Sequence, residues 1–378
     1  MAAPQVQIGN ASAPWNATAA AADASADGSA ALRVLVSALY SLVCAAGLLG
    51  NLLVLALFKA RGPGGGQRRR RACAVHVFIL NLAATDLGFA LTLPFWAADT
   101  LLDFSWPFGH AMCKVVLSAT VLNMYASVFF LTAMSVTRYC SVARALRPRG
   151  GGRWGRGRAW SPGWAAGALW AGATVATAPA AIFSTVRHVA GECLCLLDFP
   201  EGGAWLALYH LQKILLGFVV PLAVVCACYL LLLRLLRARG AERRRARVTR
   251  SITIAVLSFF LCWLPNQAVT LWGVLVKLNL LQWDRAYYVA HTYAHPLSVC
   301  LAHANSCLNP LLYCLLRRDF RTRLKEKFRK VLRLAAGPTR APASPHHAHA
   351  GGIPLSDFMD YSENLGRSRH AELCAPVE

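Results

Sequence analysis

Acidic side chains are scarce in this chain: 17 Asp and Glu stand against 39 Lys and Arg in 378 residues, for a formal net charge of +22. Charge of either sign is sparse, at 15% of residues against 56% hydrophobic. Soluble domains carry more charge, so lipid rather than water is the expected solvent for much of the chain. Zinc-type cysteine spacing is lacking. Most of the 13 cysteines lie in or beside apolar runs, where a thiol acts as a small hydrophobe. Only Cys113, Cys193 and Cys195 fall in short loops on one side, and Cys193-Leu194-Cys195 is too tight for a metal site. No segment repeats another, which argues against a transporter or channel built from internal repeats. The apolar runs hold no nucleophile–base pair or metal cluster, which argues against a membrane enzyme. His291, His295 and His303 lack acidic partners in the last run and read as pocket or packing residues.

Seven apolar runs stand out, at roughly 34–58, 75–98, 111–137, 159–186, 206–233, 251–276 and 286–316. Each is long enough for a helix across the hydrocarbon core, which takes about 20 residues, and lipid leaves helix as the workable backbone. The expected fold class is all-α, a seven-transmembrane helix bundle. Residues 1–33, 99–114, 187–213 and 277–285 carry six basic and eight acidic residues; the opposite side carries 33 basic and eight acidic, with Asp86 between. By the positive-inside rule the N-terminus is outside and the C-terminus cytoplasmic. That distribution also removes the case for nucleic-acid binding. Asn10-Ala11-Ser12 and Asn16-Ala17-Thr18 are glycosylation acceptors on the outer side. The first apolar run starts past residue 30 and is long enough to stay in the bilayer, which argues against a cleavable leader. The organisation expected is a disordered, glycosylated 1–33, a bundle over 34–316, an amphipathic helix on the inner leaflet over 317–334 and a disordered tail over 335–378. Phe320, Leu324, Phe328 and Leu332 give that surface helix its apolar stripe.

Polar residues inside spans are functional candidates, because a charge at the bilayer centre costs about 2.5–3.5 kcal/mol. Asp86 sits mid-span, and Asn51, Asn123, Ser127, Asn305 and Asn309 are placed to converge on it as a small-cation site, sodium foremost. No other cofactor is expected. Pro94, Pro179, Pro221, Pro265, Pro296 and Pro310 recur at span interiors and permit kinks. At the mouth, Trp96, Asp99 and Asp103 follow one another at intervals of three and four, as on one helical face, and Glu192, Asp198 and Glu201 add negative charge. Such a mouth attracts cationic partners. Lys213 is an isolated positive charge facing the same cavity.

Asn51 in GNLLVL, Leu82 to Asp86, Arg138-Tyr139, Trp170, Pro221 with Tyr229, Cys262-Trp263-Leu264-Pro265 and Asn309-Pro310-Leu311-Leu312-Tyr313 resemble the span-by-span signature of class A (rhodopsin-like) G-protein-coupled receptors. The resemblance implies an activation switch made of Arg138, Tyr229, Phe259, Trp263, Pro265 and Tyr313, and inner basic loops around Arg147, Arg243 and Arg247 that meet a heterotrimeric G protein. Thr120 stands where amine receptors place an aspartate, His303 stands where opsins place the retinal lysine, and residues 1–43 lack the chemokine-receptor cysteine. A peptide ligand is left. LTLPFWAADTLLDFSWPFG, LTAMSVTRY, LYHLQKILLGF and SFFLCWLPNQAVTLWGVLVK are similar to the relaxin-3 and insulin-like peptide 5 receptor subgroup, nearer to the relaxin-3 branch. That implies a two-chain insulin-superfamily peptide whose arginines meet Asp99, Asp103 and Glu192, while Trp96 and Lys213 receive its tryptophan and terminal carboxylate. Asp99 replaces a glutamate of the subgroup's motif, shortening the reach by one methylene. The resemblance also implies Gi/o coupling that lowers cyclic AMP, arrestin as a further partner, and a Cys113–Cys195 disulfide, although residue spacing alone leaves Cys193 open as the partner. The alternative reading is a receptor for another cationic or chemokine-like peptide.

In class A receptors the arginine at Arg138's position usually meets an acid just before it and another at the start of the sixth span. Here those positions hold Thr137 and Arg245. A weak resting lock and measurable basal signalling follow. Thr137→Asp is expected to lower ligand-independent cyclic AMP inhibition; a silent wild type whose output Thr137→Asp does not change would contradict the weak lock.

Overall fold

The computed structural model describes residues 15–59, 74–146, 161–189, 191–200, 203–238, 242–316, 321–322, 324–327 and 329, without the side chains of 15–29, 58–59, 145–146, 236–238, 242–252 and 313–316. Its helices are α1 (Trp15–Lys59), α2 (Ala74–Ala90), α3 (Leu93–Leu101), α4 (Gly109–Leu146), α5 (Pro162–Phe183), α6 (Gly203–Ile214), α7 (Val220–Ala238), α8 (Glu242–Lys277), α9 (Arg285–Val289) and α10 (His295–Leu316). A hairpin of β1 (Ser184–Val189) and β2 (Glu192–Leu197) lies between α5 and α6. Six stretches are long and apolar enough to cross a membrane: Ala30–Leu57, Ala74–Leu101, Gly109–Arg144, Pro162–Phe183, Ala204–Leu235 and Thr253–Lys277. The seventh is α9 with α10, whose histidines and asparagines dilute its apolar character.

Prolines set the breaks. Pro94 opens α3, and the gap after α2 is bridged by Thr92 Oγ1 donating to the Phe89 carbonyl at 2.7 Å. Pro221 and Pro296 each lie two residues beyond a π turn, Leu215–Val219 and Ala290–Ala294. Proline lacks an N–H and collides with the carbonyl four residues back, and the wider turn relieves that collision. Pro179, Pro265 and Pro310 stay inside α5, α8 and α10.

Helix α1 begins well before the expected span start at residue 34, so its backbone is helical through part of the stretch read as disordered. The Ala-rich run from Trp15 explains this, since alanine has the highest helix propensity. Around residues 321–329 the described backbone is helical; Leu324 packs against the main core and Lys327 Nζ donates to the Ala56 carbonyl at 3.4 Å. The expected tail over 335–378 lies outside the described residues.

The main core joins Leu82 of α2, Phe130, Leu131 and Met134 of α4, and Val256 and Phe259 of α8. Trp170 Nε1 donates to Asn81 Oδ1 at 2.9 Å, pinning α5 to α2. Lys114 Nζ donates to the Ala181 and Ile182 carbonyls at 3.0 and 2.8 Å. It thereby caps the C-terminal carbonyls of α5, where the helix dipole favours a cation.

Helices α1 and α10 approach closely at Gly50. A Cβ there would lie 2.8 Å from Pro310 Cβ, whereas a Cβ at Gly88 would meet nothing within 4 Å. The proline ring cannot rotate away, so Gly50→Ala is expected to cost about 1–3 kcal/mol by overpacking. Thermal unfolding in detergent should show a lower Tm for Gly50→Ala and an unchanged Tm for Gly88→Ala.

Candidate functional site

Two polar assemblies lie along the bundle. The inner one centres on Asp86, fully buried on α2. Asn123 Nδ2 and Ser127 Oγ, one turn apart on α4, donate to Asp86 Oδ1 at 3.0 and 3.3 Å, and Asn309 Nδ2 of α10 donates to Oδ2 at 2.9 Å. Ser306, which the sequence reading did not single out, donates to Asn123 Oδ1 at 3.3 Å. Asn51 Nδ2 donates to the Gly47 and Ser306 carbonyls at 2.9 and 3.0 Å, joining α1 to α10. Asn305 is buried but makes no hydrogen bond to Asp86; its Oδ1 and those of Asn51 and Asn309 are buried acceptors without partners. A carboxylate served by neutral donors, with amide oxygens left over nearby, fits a hard monovalent cation, which prefers oxygen ligands.

Above it, Phe259 and Trp263 of α8, six and two residues before Pro265, have ring centroids 5.8 Å apart and planes tilted by 30°. Toward the basic end, the Tyr229 hydroxyl of α7 is within electrostatic range of Thr253, Ser135 and Arg138. Tyr313 is on α10, but its side chain lies outside the described residues, as do those of Asn16 and Arg245; Asn10 lies outside them entirely.

The second assembly lies at the hairpin end. Cys113 of α4 and Cys195 of β2 are disulfide-bonded. Cys193 is a free thiol whose Sγ lies 3.2 Å from His188 Nδ1 across the hairpin. The Trp106 backbone N–H donates to the Cys193 carbonyl at 2.6 Å, which draws the loop after α3 against the hairpin. Asp99, Asp103 and Glu192 are thereby brought to one end of the bundle. Trp96 and Asp99 lie one turn apart on α3; Trp96 Nε1 donates to Thr120 Oγ1 at 3.1 Å, and Asp99 is buried with the Tyr40 hydroxyl in electrostatic range. His303 fills the space below, its ring 6.4 Å from Trp96, 5.6 Å from Tyr40 and 4.9 Å from Phe89. Lys213 is half-buried on α6.

Asp103 departs from the expected helical face. Helix α3 ends at Leu101, and Asp103 and Phe104 adopt left-handed φ values of 57° and 64°. The chain turns there because the Phe104 N–H bonds back to the Asp99 carbonyl at 2.8 Å, closing the helix two residues before Asp103. The Asp103 side chain is 74% exposed and forms an ion pair with Arg33 of α1. Sequence reasoning counted Arg33 only as outer charge, since a pairing across 70 residues leaves no local signal. The hairpin was missed as well, although STVRHV and ECLCLL flank Gly191, whose φ of 93° suits a tight turn.

Residues 50–313 match the 7 transmembrane receptor (rhodopsin family) profile. The chain is 49% identical to relaxin-3 receptor 1 of Homo sapiens, over 86% of this chain and 76% of that protein. It is 50% identical to relaxin-3 receptor 2 of Homo sapiens, over 82% and 79% respectively. Somatostatin receptor type 5 of Bos taurus is 37% identical over 81% of this chain and 78% of that receptor.

The Cys113–Cys195 bond spans 82 residues of sequence. Opening a loop of that size releases about 4 kcal/mol of chain entropy in the unfolded state. Cys195→Ser is expected to lower Tm by many degrees in detergent, and Cys193→Ser to leave it within error of wild type.

Proposed function

Because the chain belongs to the rhodopsin family of seven-transmembrane receptors, we propose that its hairpin-end cavity receives a peptide of the relaxin and insulin superfamily. The chain is a multi-pass plasma-membrane receptor that couples to G proteins, and not an enzyme. The observation that carries the ligand assignment is the gathering of Asp99, Asp103 and Glu192 at one end of the bundle, in a chain about half identical to two relaxin-3 receptors. Arginines of the peptide meet these carboxylates. Trp96 offers an indole face to its tryptophan, and Lys213 holds its terminal carboxylate. The guanidinium that takes Asp103 replaces Arg33.

Binding activates only if it favours the active bundle over the resting one. Contacts at Trp96 and Lys213 bear on Phe259 and Trp263 above the Pro265 kink. When bound, a sodium ion would be held by Asp86, Ser127 and the free amide oxygens of Asn305 and Asn309, where it would offset the buried carboxylate's charge. At the inner end Tyr229, Tyr313 and Arg138 regroup to admit a Gi/o protein, lowering cyclic AMP, and then arrestin. The N-terminus, glycosylated at Asn10 and Asn16, is extracellular and the C-terminus cytoplasmic. The basic segment 317–334 lies on the inner leaflet, where each Lys or Arg contributes about 1 kcal/mol of attraction.

Burial separates the roles of two acids. Asp99 is 7% exposed, and leaving a ligand arginine unpaired in a buried site costs about 2–5 kcal/mol. Asp103 is exposed, and exposed pairs contribute about 0–1 kcal/mol. Asp99→Asn is therefore expected to weaken binding of a relaxin-3-type peptide by about 30-fold or more, and Asp103→Asn by about threefold. Equal losses, or none, in competition binding on intact cells would place the arginines elsewhere. Binding of another cationic peptide but not this one would keep the family and replace the ligand. For the cation, agonist affinity in wild-type membranes should fall as sodium replaces N-methylglucamine, and Asp86→Asn should abolish that dependence.

A further inference from the structure

Lys213, in electrostatic range of the His303 ring beside Trp96, belongs to a wall of basic side chains. It is built from α6, α8 and the segment from α9 into α10. His210 of α6 is in electrostatic range of Lys213, Lys277 and His295. His295 is in range of His291 and Lys213, and His291 of Lys277. Lys277 and His291 are exposed at the rim, while His210, Lys213 and His295 are half-buried. The His291 and His295 rings stack in parallel planes, 5.1 Å apart at an interplanar angle of 1°, across the π turn.

Lys213 and Lys277, from two different helices, bring like charge to His210, which an anion there would offset. Of the acids at this end of the bundle, three are engaged elsewhere, and Asp99 and Glu192 belong to the acidic side that takes the ligand's cationic groups. Asp284 caps α9 by accepting from the Tyr287 N–H at 2.7 Å, Asp198 pairs with Arg187, and Asp103 pairs with Arg33. The wall also holds an unused hydrogen-bonding group: His210 Nδ1 is buried without a partner. A neutral imidazole donates one N–H and accepts at its other nitrogen, so the histidines can bond an anion without being charged, while the lysines supply the charge.

We infer that Lys277, His210 and His295 complete, with Lys213, a carboxylate-binding site that runs from the rim into the cavity. The inference rests on the peptide reading above, which uses Lys213 alone. With both walls in place the cavity is dipolar. Carboxylates on α3 and the hairpin take the cationic groups of a ligand, and the wall from α6 to α10 takes its anionic end. Orientation is then set by charge at both ends, which a single acidic wall cannot do.

The test compares a relaxin-3-type peptide bearing a free C-terminal carboxylate with its C-terminal amide, in competition binding on intact cells. Wild type is expected to prefer the free acid by about tenfold. Lys277→Gln and His295→Gln should each shrink that preference by about threefold, leave the affinity for the amide unchanged, and be present at the cell surface in wild-type amount. Lys277→Arg should retain the preference. An undiminished acid-to-amide ratio in the Lys277→Gln/His295→Gln double variant overturns the site while leaving the peptide reading intact. Failure of both peptides to bind wild type at the cell surface overturns the peptide reading, and the site falls with it.

Discussion

One carboxylate, without a cationic neighbour among the described residues, organises the middle of this bundle. Asp86 accepts from α4 at two positions and from α10 at a third, so three helices meet on it. Asp86 is fully buried there, and each lost donor would leave charge unserved in an apolar medium. The serving groups are neutral amides and a hydroxyl, whose bonds can be exchanged without separating charge. Such a network is stable in one arrangement and still able to adopt another. Prolines and π turns in the surrounding helices make backbone rearrangement accessible, because they interrupt the ladder of hydrogen bonds.

The hairpin end works by different physics. It is held by a disulfide, a backbone hydrogen bond from Trp106 and the ion pair between Arg33 and Asp103. These tie the loops together at that end while leaving Asp103 and Lys277 exposed, in reach of a charged partner. The buried Asp99 and the exposed Asp103 differ most in dielectric surroundings, and that difference rather than chemical type separates their expected contributions. Between the ends lie two ring pairs, Trp96 with His303 and Phe259 with Trp263.

Much of this was legible in the chain itself. The spans follow from length and apolarity, and the polar residues inside them stand out because lipid penalises them. Asp86, Asn123, Ser127 and Asn309 were identified on that ground, and the fold brings them into direct contact. Asn305 was grouped with them by the same rule but points its amide oxygen to no protein donor. Periodicity misled at Asp103, because a helix that stops two residues early no longer carries its pattern forward.

The amino-acid sequence by itself determined the solvent, the number of spans, the side on which basic charge collects and the identity of the buried polar groups. Each depends on composition or on neighbours a turn or two away. Tertiary structure alone decided that Arg33 reaches Asp103, that Ser306 serves Asn123, and that His210, Lys213, Lys277 and His295 share one wall. These groups are far apart in the chain, and only helix packing sets their separations. Coulomb and hydrogen-bond terms fall off over a few ångströms, so no local pattern encodes them.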